Sequence, residues 1–146
     1  MITRVMKILR ERTASVSETR ALGARLAQVA AAGDVFSLDG DLGSGKTELV
    51  RGFVGALSDK ISVHSPTFSI VNTYQTPKFL IHHFDFYRIE DPKELVSIGL
   101  DEYINGDGVC LIEWGMMFPD ALPDHTKRIR ISDSGGVRIV EANILF

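Results

Sequence analysis

At 146 residues the chain is expected to form one domain, residues 1–146, with a substantial core. Its 45% hydrophobic and 24% charged fractions are those of a soluble globular protein, and a net charge of −3 gives no sign of autonomous binding to nucleic acid or an anionic membrane. The single cysteine, Cys110, excludes an internal disulfide, no apolar run approaches transmembrane length and Met1–Arg12 lacks a signal-peptide core, so the expected location is the cytoplasm.

In chain order, Arg4–Arg10 reads as a strand at the border of a sheet. Ser15-Val16-Ser17-Glu18 is a capping box, with Ser15 as N-cap and Glu18 reaching back. The helix it opens carries Leu22, Leu26 and Val29 on one face and is expected to reach Ala32, with Gly33 as the stop. The turn Thr13–Ser17 has two readings: a segment that closes over a nucleotide base, or an ordinary helix entrance.

Val35–Leu38 is a short apolar run of the kind a buried strand makes, and Gly40–Thr47 follows it as Gly-Asp-Leu-Gly-Ser-Gly-Lys-Thr. This is the complete G-x-x-x-x-G-K-[ST] phosphate loop, and Leu49, Val50, Phe53, Val54 and Leu57 continue it at helical spacing. Glycines let backbone N–H groups turn inward around a phosphate, while the helix start adds unpaired donors and a positive dipole end. On this pattern Asp41, Leu42, Gly43, Ser44, Gly45, Lys46 and Thr47 bind the nucleotide. Lys46 reaches the β- and γ-phosphates and the Thr47 hydroxyl holds Mg²⁺.

Ser58–Ser65 is a polar loop, and Pro66 presents Thr67 at a strand entrance. Phe68–Tyr74 and Phe79–Asp85 are expected to form a β-hairpin across Gln75-Thr76-Pro77-Lys78. Period two places Ile81, His83 and Asp85 on one face, and Leu80, His82 and Phe84 on the other. Asp85, at a strand end with Tyr87 and Arg88 just beyond, is a candidate to position metal or water. His83 either joins that chemistry or is a packed histidine bonded to backbone.

Asp91-Pro92-Lys93-Glu94 starts a short helix, with Asp91 as N-cap, that ends near Gly99; Leu100–Ile104 adds a further turn. After the break at Asn105–Gly108, Val109–Trp114 reads as a fully buried strand that delivers Glu113 at its end. A carboxylate so placed beside a phosphate loop orients a Mg²⁺-bound or catalytic water. Cys110 is a small core residue, and Trp114 packs against the loop or presents a partner surface. Lys127–Ile131 and Val137–Ala142 form a C-terminal antiparallel hairpin. The expected fold is α/β: a P-loop NTPase-like three-layer domain with a mixed, mostly parallel sheet and β-hairpin additions.

The guanine signature Asn-Lys-x-Asp is absent, which favours ATP. A small-molecule kinase is the rival reading, but such enzymes need an arginine-bearing lid, and Met116–Thr126 contains no arginine. No arginine finger is evident beyond Arg88, a candidate in cis or toward RNA. Slow turnover is therefore expected, since such a residue contributes on the order of 10³–10⁵ in rate.

Four segments in this order, Gly-Asp-Leu-Gly-Ser-Gly-Lys-Thr at 40–47, Ser-Pro-Thr-Phe at 65–68, His-Phe-Asp-Phe-Tyr-Arg at 83–88 and Leu-Ile-Glu-Trp at 111–114, resemble the bacterial TsaE (YjeE) family. The resemblance runs from about Ser17 to Trp114, and the region after Trp114 departs more from the family pattern. It implies a P-loop ATPase, bound to ATP and Mg²⁺, in the tRNA threonylcarbamoyladenosine pathway. The implied partners are the transferase subunits TsaD and TsaB, which modify adenosine 37 of tRNA, with tRNA reached indirectly through the complex and no membrane involved. ATP binding and hydrolysis would regulate or reset that transferase rather than transfer the group. The resemblance implies phosphate binding for Lys46 and the loop amides, and metal binding for Thr47 and Glu113. It implies a switch-like place for Thr67 and a part in hydrolysis for Asp85, so that Lys46, Asp85 and Glu113 form the catalytic set.

Overall fold

The computed structural model describes residues 8–66 and 68–144. Two central strands, β2 (Val35–Asp39) and β5 (Val109–Glu113), are buried along their whole length. That is the mark of strands covered on both faces, and period two divides their side chains between two cores. Phe36, Leu38, Val109 and Leu111 point into one core together with Leu22, Leu26, Leu49 and Phe53. Val35, Cys110 and Ile112 point into the other with Phe84, Leu95, Leu100 and Ile104. Burial pushes the Cys110 thiol up to about 12, which makes it an inert core residue.

The first core is roofed by α1 (Val16–Val29) and α2 (Lys46–Leu57), the second by the short helices α3 (Lys93–Ser97) and α4 (Leu100–Ile104). Three layers result, as expected. The remaining strands are β1 (Ile8–Thr13), β3 (Val71–Gln75), β4 (Leu80–Asp85), β6 (Lys127–Ser134) and β7 (Val137–Asn143). Among the described residues they join one seven-stranded sheet in the order β1-β7-β6-β2-β5-β4-β3. Its centre, β6-β2-β5-β4, is parallel, and the two hairpins and β1 add antiparallel flanks. The mixed sheet with hairpin additions is thus the one expected from the sequence.

Helices α1 and α2 meet almost backbone to backbone. A Cβ on Gly52 would lie 1.9 Å from the Arg20 carbonyl oxygen, and one on Gly23 would lie 2.2 Å from that of Leu49. This contact seats α2, whose first two residues are Lys46 and Thr47, against the sheet.

Some boundaries shift for local reasons. Helix α1 ends at Val29 rather than Ala32, because Ala30 is already extended and the Asp34 carboxylate takes the Ala31 N–H at 2.9 Å. Strand β3 starts at Val71 rather than Phe68, because Ile70 adopts a left-handed φ of 66° while its carbonyl accepts the Asp85 N–H. The Ser15 hydroxyl accepts the Glu18 N–H as expected, but the Glu18 carboxylate reaches one residue further back, to the Ala14 N–H. Before α3 the terminal residue is Pro92, yet the capping chemistry is Asp91's, whose carboxylate accepts the Lys93 N–H at 2.9 Å. The strand expected over Arg4–Arg10 is described from Ile8 and runs on to Thr13; Arg4–Lys7 and Thr67 lie outside the described residues.

Candidate functional site

At the end of β2 the chain enters the glycine-rich loop and leaves it as α2. Gly45 caps that helix at φ 110°, a left-handed conformation that a side chain would strain. The Lys46 ammonium is buried and lies inside the loop, donating to the Gly40 carbonyl at 2.6 Å and the Asp41 carbonyl at 2.8 Å. It also sits 4.2 Å from the centroid of the Trp114 ring. Burial lowers the lysine's pKa, and the nearby carboxylates of Glu113, Asp85, Asp41 and Asp39 oppose that shift.

The acidic half of the site comes from the parallel pairing of β4 with β5, which sets Asp85 directly beside Glu113. Glu113 is 4% exposed, and the Thr47 hydroxyl lies 3.0 and 3.2 Å from its two carboxylate oxygens. Asp85 accepts the Ser65 hydroxyl at 3.2 Å and the Tyr87 N–H at 3.0 Å. His83 is fully buried, with Nε2 2.6 Å from Glu113 and Nδ1 3.0 Å from the Tyr74 hydroxyl. Neither ring nitrogen bonds backbone: one faces the Glu113 carboxylate and the other the Tyr74 hydroxyl.

The turn after Glu113 is itself a constrained piece. Trp114 holds a left-handed φ of 62°, a conformation that costs a non-glycine residue on the order of 1 kcal/mol and is kept only where its surroundings insist. Here the Trp114 N–H bonds the Leu38 carbonyl at 2.9 Å and the Met116 N–H bonds the Asp39 carboxylate at 3.1 Å. The result lays the indole over Lys46 and beside Tyr87, with ring centroids 5.0 Å apart.

These groups line a cleft of 340 Å³ that includes Leu42 through Thr47, Asp85 and Glu113. Asp41 does not line it; its carbonyl shapes the loop by accepting Lys46 and the Ser44 N–H. Arg88 lies elsewhere, its guanidinium 5.6 Å from the Phe68 ring in an adjoining hollow. Residues that sequence reasoning did not single out for the site complete the wall: Val16, from the turn whose two readings included closure over a base, Glu48 and Arg138. Arg138 reaches over from β7 and donates to the Gly43 carbonyl at 3.1 Å. No local pattern marks it, because the hairpin register alone brings it to the loop.

The family model for "Threonylcarbamoyl adenosine biosynthesis protein TsaE" matches residues 13–140, so the match continues well past Trp114 into β7, contrary to the expected departure there. The tRNA threonylcarbamoyladenosine biosynthesis protein TsaE of Bacillus subtilis is 42% identical over 130 residues, 89% of this chain and 81% of that protein. The Haemophilus influenzae protein of the same name is 39% identical over 104 residues, 71% of this chain and 66% of its own length. Among solved structures, the crystal structure of Bacillus subtilis YdiB superposes with a TM-score of 0.79 at 35% identity, over 96% of this chain and 87% of that one. With the phosphate loop, the paired carboxylates and the three-layer fold all in their places, the chain belongs to the TsaE family of threonylcarbamoyl adenosine biosynthesis proteins.

Proposed function

We propose that this chain is an ATP-binding, slowly hydrolysing subunit of tRNA threonylcarbamoyladenosine biosynthesis, which regulates or resets the transferase rather than transferring the group. The supporting observation is the convergence of Lys46, Thr47, Asp85 and Glu113 on one cleft from α2, β4 and β5. Family membership sets aside the small-molecule kinase weighed from the phosphate loop alone.

The donor set suits Mg²⁺. A hydroxyl and one or two carboxylates are the hard oxygens that this ion takes from protein, its other positions going to water and phosphate. Thr47 and Glu113 would hold it, and bound there it would offset charge on the β- and γ-phosphates. Lys46 leaves the Gly40 and Asp41 carbonyls to neutralise phosphate oxygens, and the loop amides of Leu42 to Thr47 bind the rest. Asp85, steadied by Ser65 and the Tyr87 N–H, orients the attacking water.

Arg138 is the only arginine that lines the cleft among the described residues, and the Gly43 carbonyl already occupies its guanidinium. Slow intrinsic turnover follows, because an arginine free to meet the transferring phosphate contributes on the order of 10³–10⁵ in rate. A nucleotide that is hydrolysed slowly can mark the state of a complex, here one with the TsaD and TsaB subunits, tRNA being reached through them. No helix among the described residues is long and apolar enough to cross a membrane, and the cytoplasm is the proposed site of action.

Calorimetry with ATP and Mg²⁺ tests the reading. Lys46→Ala should weaken binding by about 10- to 100-fold, the loss expected for one charge-assisted hydrogen bond to phosphate. Absence of binding heat from the native chain, or an unchanged affinity in the variant, would overturn it. Pull-down of TsaD and TsaB with ATP tests the partners separately.

A further inference from the structure

His83 lies in the middle of a continuous buried chain of polar contacts. It begins at Thr47, whose hydroxyl meets Glu113 at 3.0 Å, and passes from Glu113 to His83 at 2.6 Å. From His83 it continues to the Tyr74 hydroxyl at 3.0 Å, and the Tyr74 hydroxyl donates to the His64 carbonyl at 3.1 Å. Four elements, α2, β5, β4 and β3, each contribute one link, and the last link lands on the loop that leads to Ser65. Tyr74 is 8% exposed and His83 fully buried, so no water shell can absorb a movement of either ring. Burial raises the Tyr74 pKa, which keeps its phenol protonated and able to donate.

That loop therefore has two separate ties to the carboxylates. Ser65 bonds Asp85 directly at 3.2 Å, and the His64 carbonyl connects to Glu113 only through Tyr74 and His83. Asn72 donates to the same His64 carbonyl, at 3.0 Å, and its side chain also hydrogen-bonds Tyr74, so it braces this link from the side. Every buried side-chain nitrogen and oxygen among the described residues has a hydrogen-bond partner, so a link lost from the chain leaves a group unpaired rather than rebonded.

We propose that His83 is a positioning residue that holds the Glu113 carboxylate toward Thr47, and that through Tyr74 it couples occupancy of the nucleotide and metal site to the posture of the Ser62–Ser65 loop. The imidazole holds Oε2 of Glu113, and the Thr47 hydroxyl sits across both oxygens, nearer Oε1 at 3.0 Å. Were a cation held by Glu113, the His83 ring, fixed on both nitrogens, would pass any shift of that carboxylate to Tyr74 and the His64 carbonyl. Ser65 of this loop lines the cleft and His64 is exposed, so the state of the site is carried to the surface by packing and hydrogen bonds alone. This inference rests on the proposed binding of nucleotide with Mg²⁺.

The test uses the full chain, ADP and Mg²⁺, with amide hydrogen exchange at residues 62–65 and calorimetry as the two readouts. In the native chain, saturating Mg²⁺ and ADP should slow exchange at those amides. His83→Gln should raise the Mg²⁺ concentration needed for tight ADP binding by about 10- to 100-fold, as the loss of a partner behind a metal ligand does. Tyr74→Phe, which removes one hydroxyl and keeps the ring, should bind Mg²⁺ and ADP as the native chain does but lose the slowed exchange. A loop response in Tyr74→Phe equal to that of the native chain overturns the coupling. An unchanged Mg²⁺ requirement in His83→Gln overturns the positioning role. Failure of the native chain to bind ADP at all would instead remove the functional reading itself, and this inference with it.

Discussion

Gly52→Ala offers a quantitative test of how α2 is seated. A methyl placed there would lie 1.9 Å from the Arg20 carbonyl oxygen, whereas real Cβ contacts do not fall below 3.0 Å, so the two helices must separate by at least the difference, 1.1 Å. Neither partner can yield cheaply, because the obstructing atom is backbone in the middle of α1. A gap of that size along the interface forfeits roughly a quarter to a half of the dispersion contacts made there by Leu22, Leu26, Leu49 and Phe53. Overpacking of this kind typically costs about 1–3 kcal/mol, and a backbone clash belongs at the upper end; the gain in helix propensity from glycine to alanine returns about 1 kcal/mol. The net expectation is a loss of about 2 kcal/mol. Gly55→Ala is the internal control, because its added Cβ meets nothing within 4 Å, and it should stabilise by about 0.5–1 kcal/mol. Urea unfolding of the two variants beside the native chain measures both numbers. A Gly52→Ala chain as stable as Gly55→Ala would show that the helices are not in backbone contact, and the account of how Lys46 and Thr47 are held would fail.

Two further outcomes follow from the electrostatics and the ring contacts. Burial pushes the Glu48 carboxyl up, but hydrogen bonds from Arg20 and Arg51 outweigh that and hold its pKa below the ordinary 4.5, so the stability it contributes exists above that value and fades as pH falls through the lowered one. The native chain should exceed Glu48→Gln by about 0.5–1 kcal/mol at neutral pH and converge with it in acid, and a difference that stays constant down to about pH 3 would refute this. Trp114 is the chain's one tryptophan, and the Lys46 ammonium rests over its ring. Its emission should therefore change as ATP and Mg²⁺ draw Lys46 away, with the same midpoint as calorimetry; constant emission at saturation would mean that Lys46 does not move.

Much of the site was legible in the sequence because its signals are local. The phosphate loop needs particular residues at consecutive positions, and β-strand alternation correctly placed Ile81, His83 and Asp85 on one face. The burial of Val109–Glu113 could be read from its apolar run, which put Glu113 at the mouth of a central strand. The early end of α1 at Val29 was not legible, since it depends on one carboxylate, Asp34, capturing a backbone N–H.

Local pattern thus determined the phosphate loop, the identity of both carboxylates and the three-layer class, because each depends on spacing within a dozen residues. What the tertiary structure decided depends on register between distant segments. The pairing of β6 with β7 swings Arg138 to Gly43, and the parallel register of β4 with β5 sets Asp85 beside Glu113. The same close packing gives His83 its place between Tyr74 and Glu113, a choice between two readings that its own neighbours in sequence left open. Side chains on separate strands acquire partners only when hydrogen-bonded registers and helix contacts are settled together, and no stretch of chain carries that information alone.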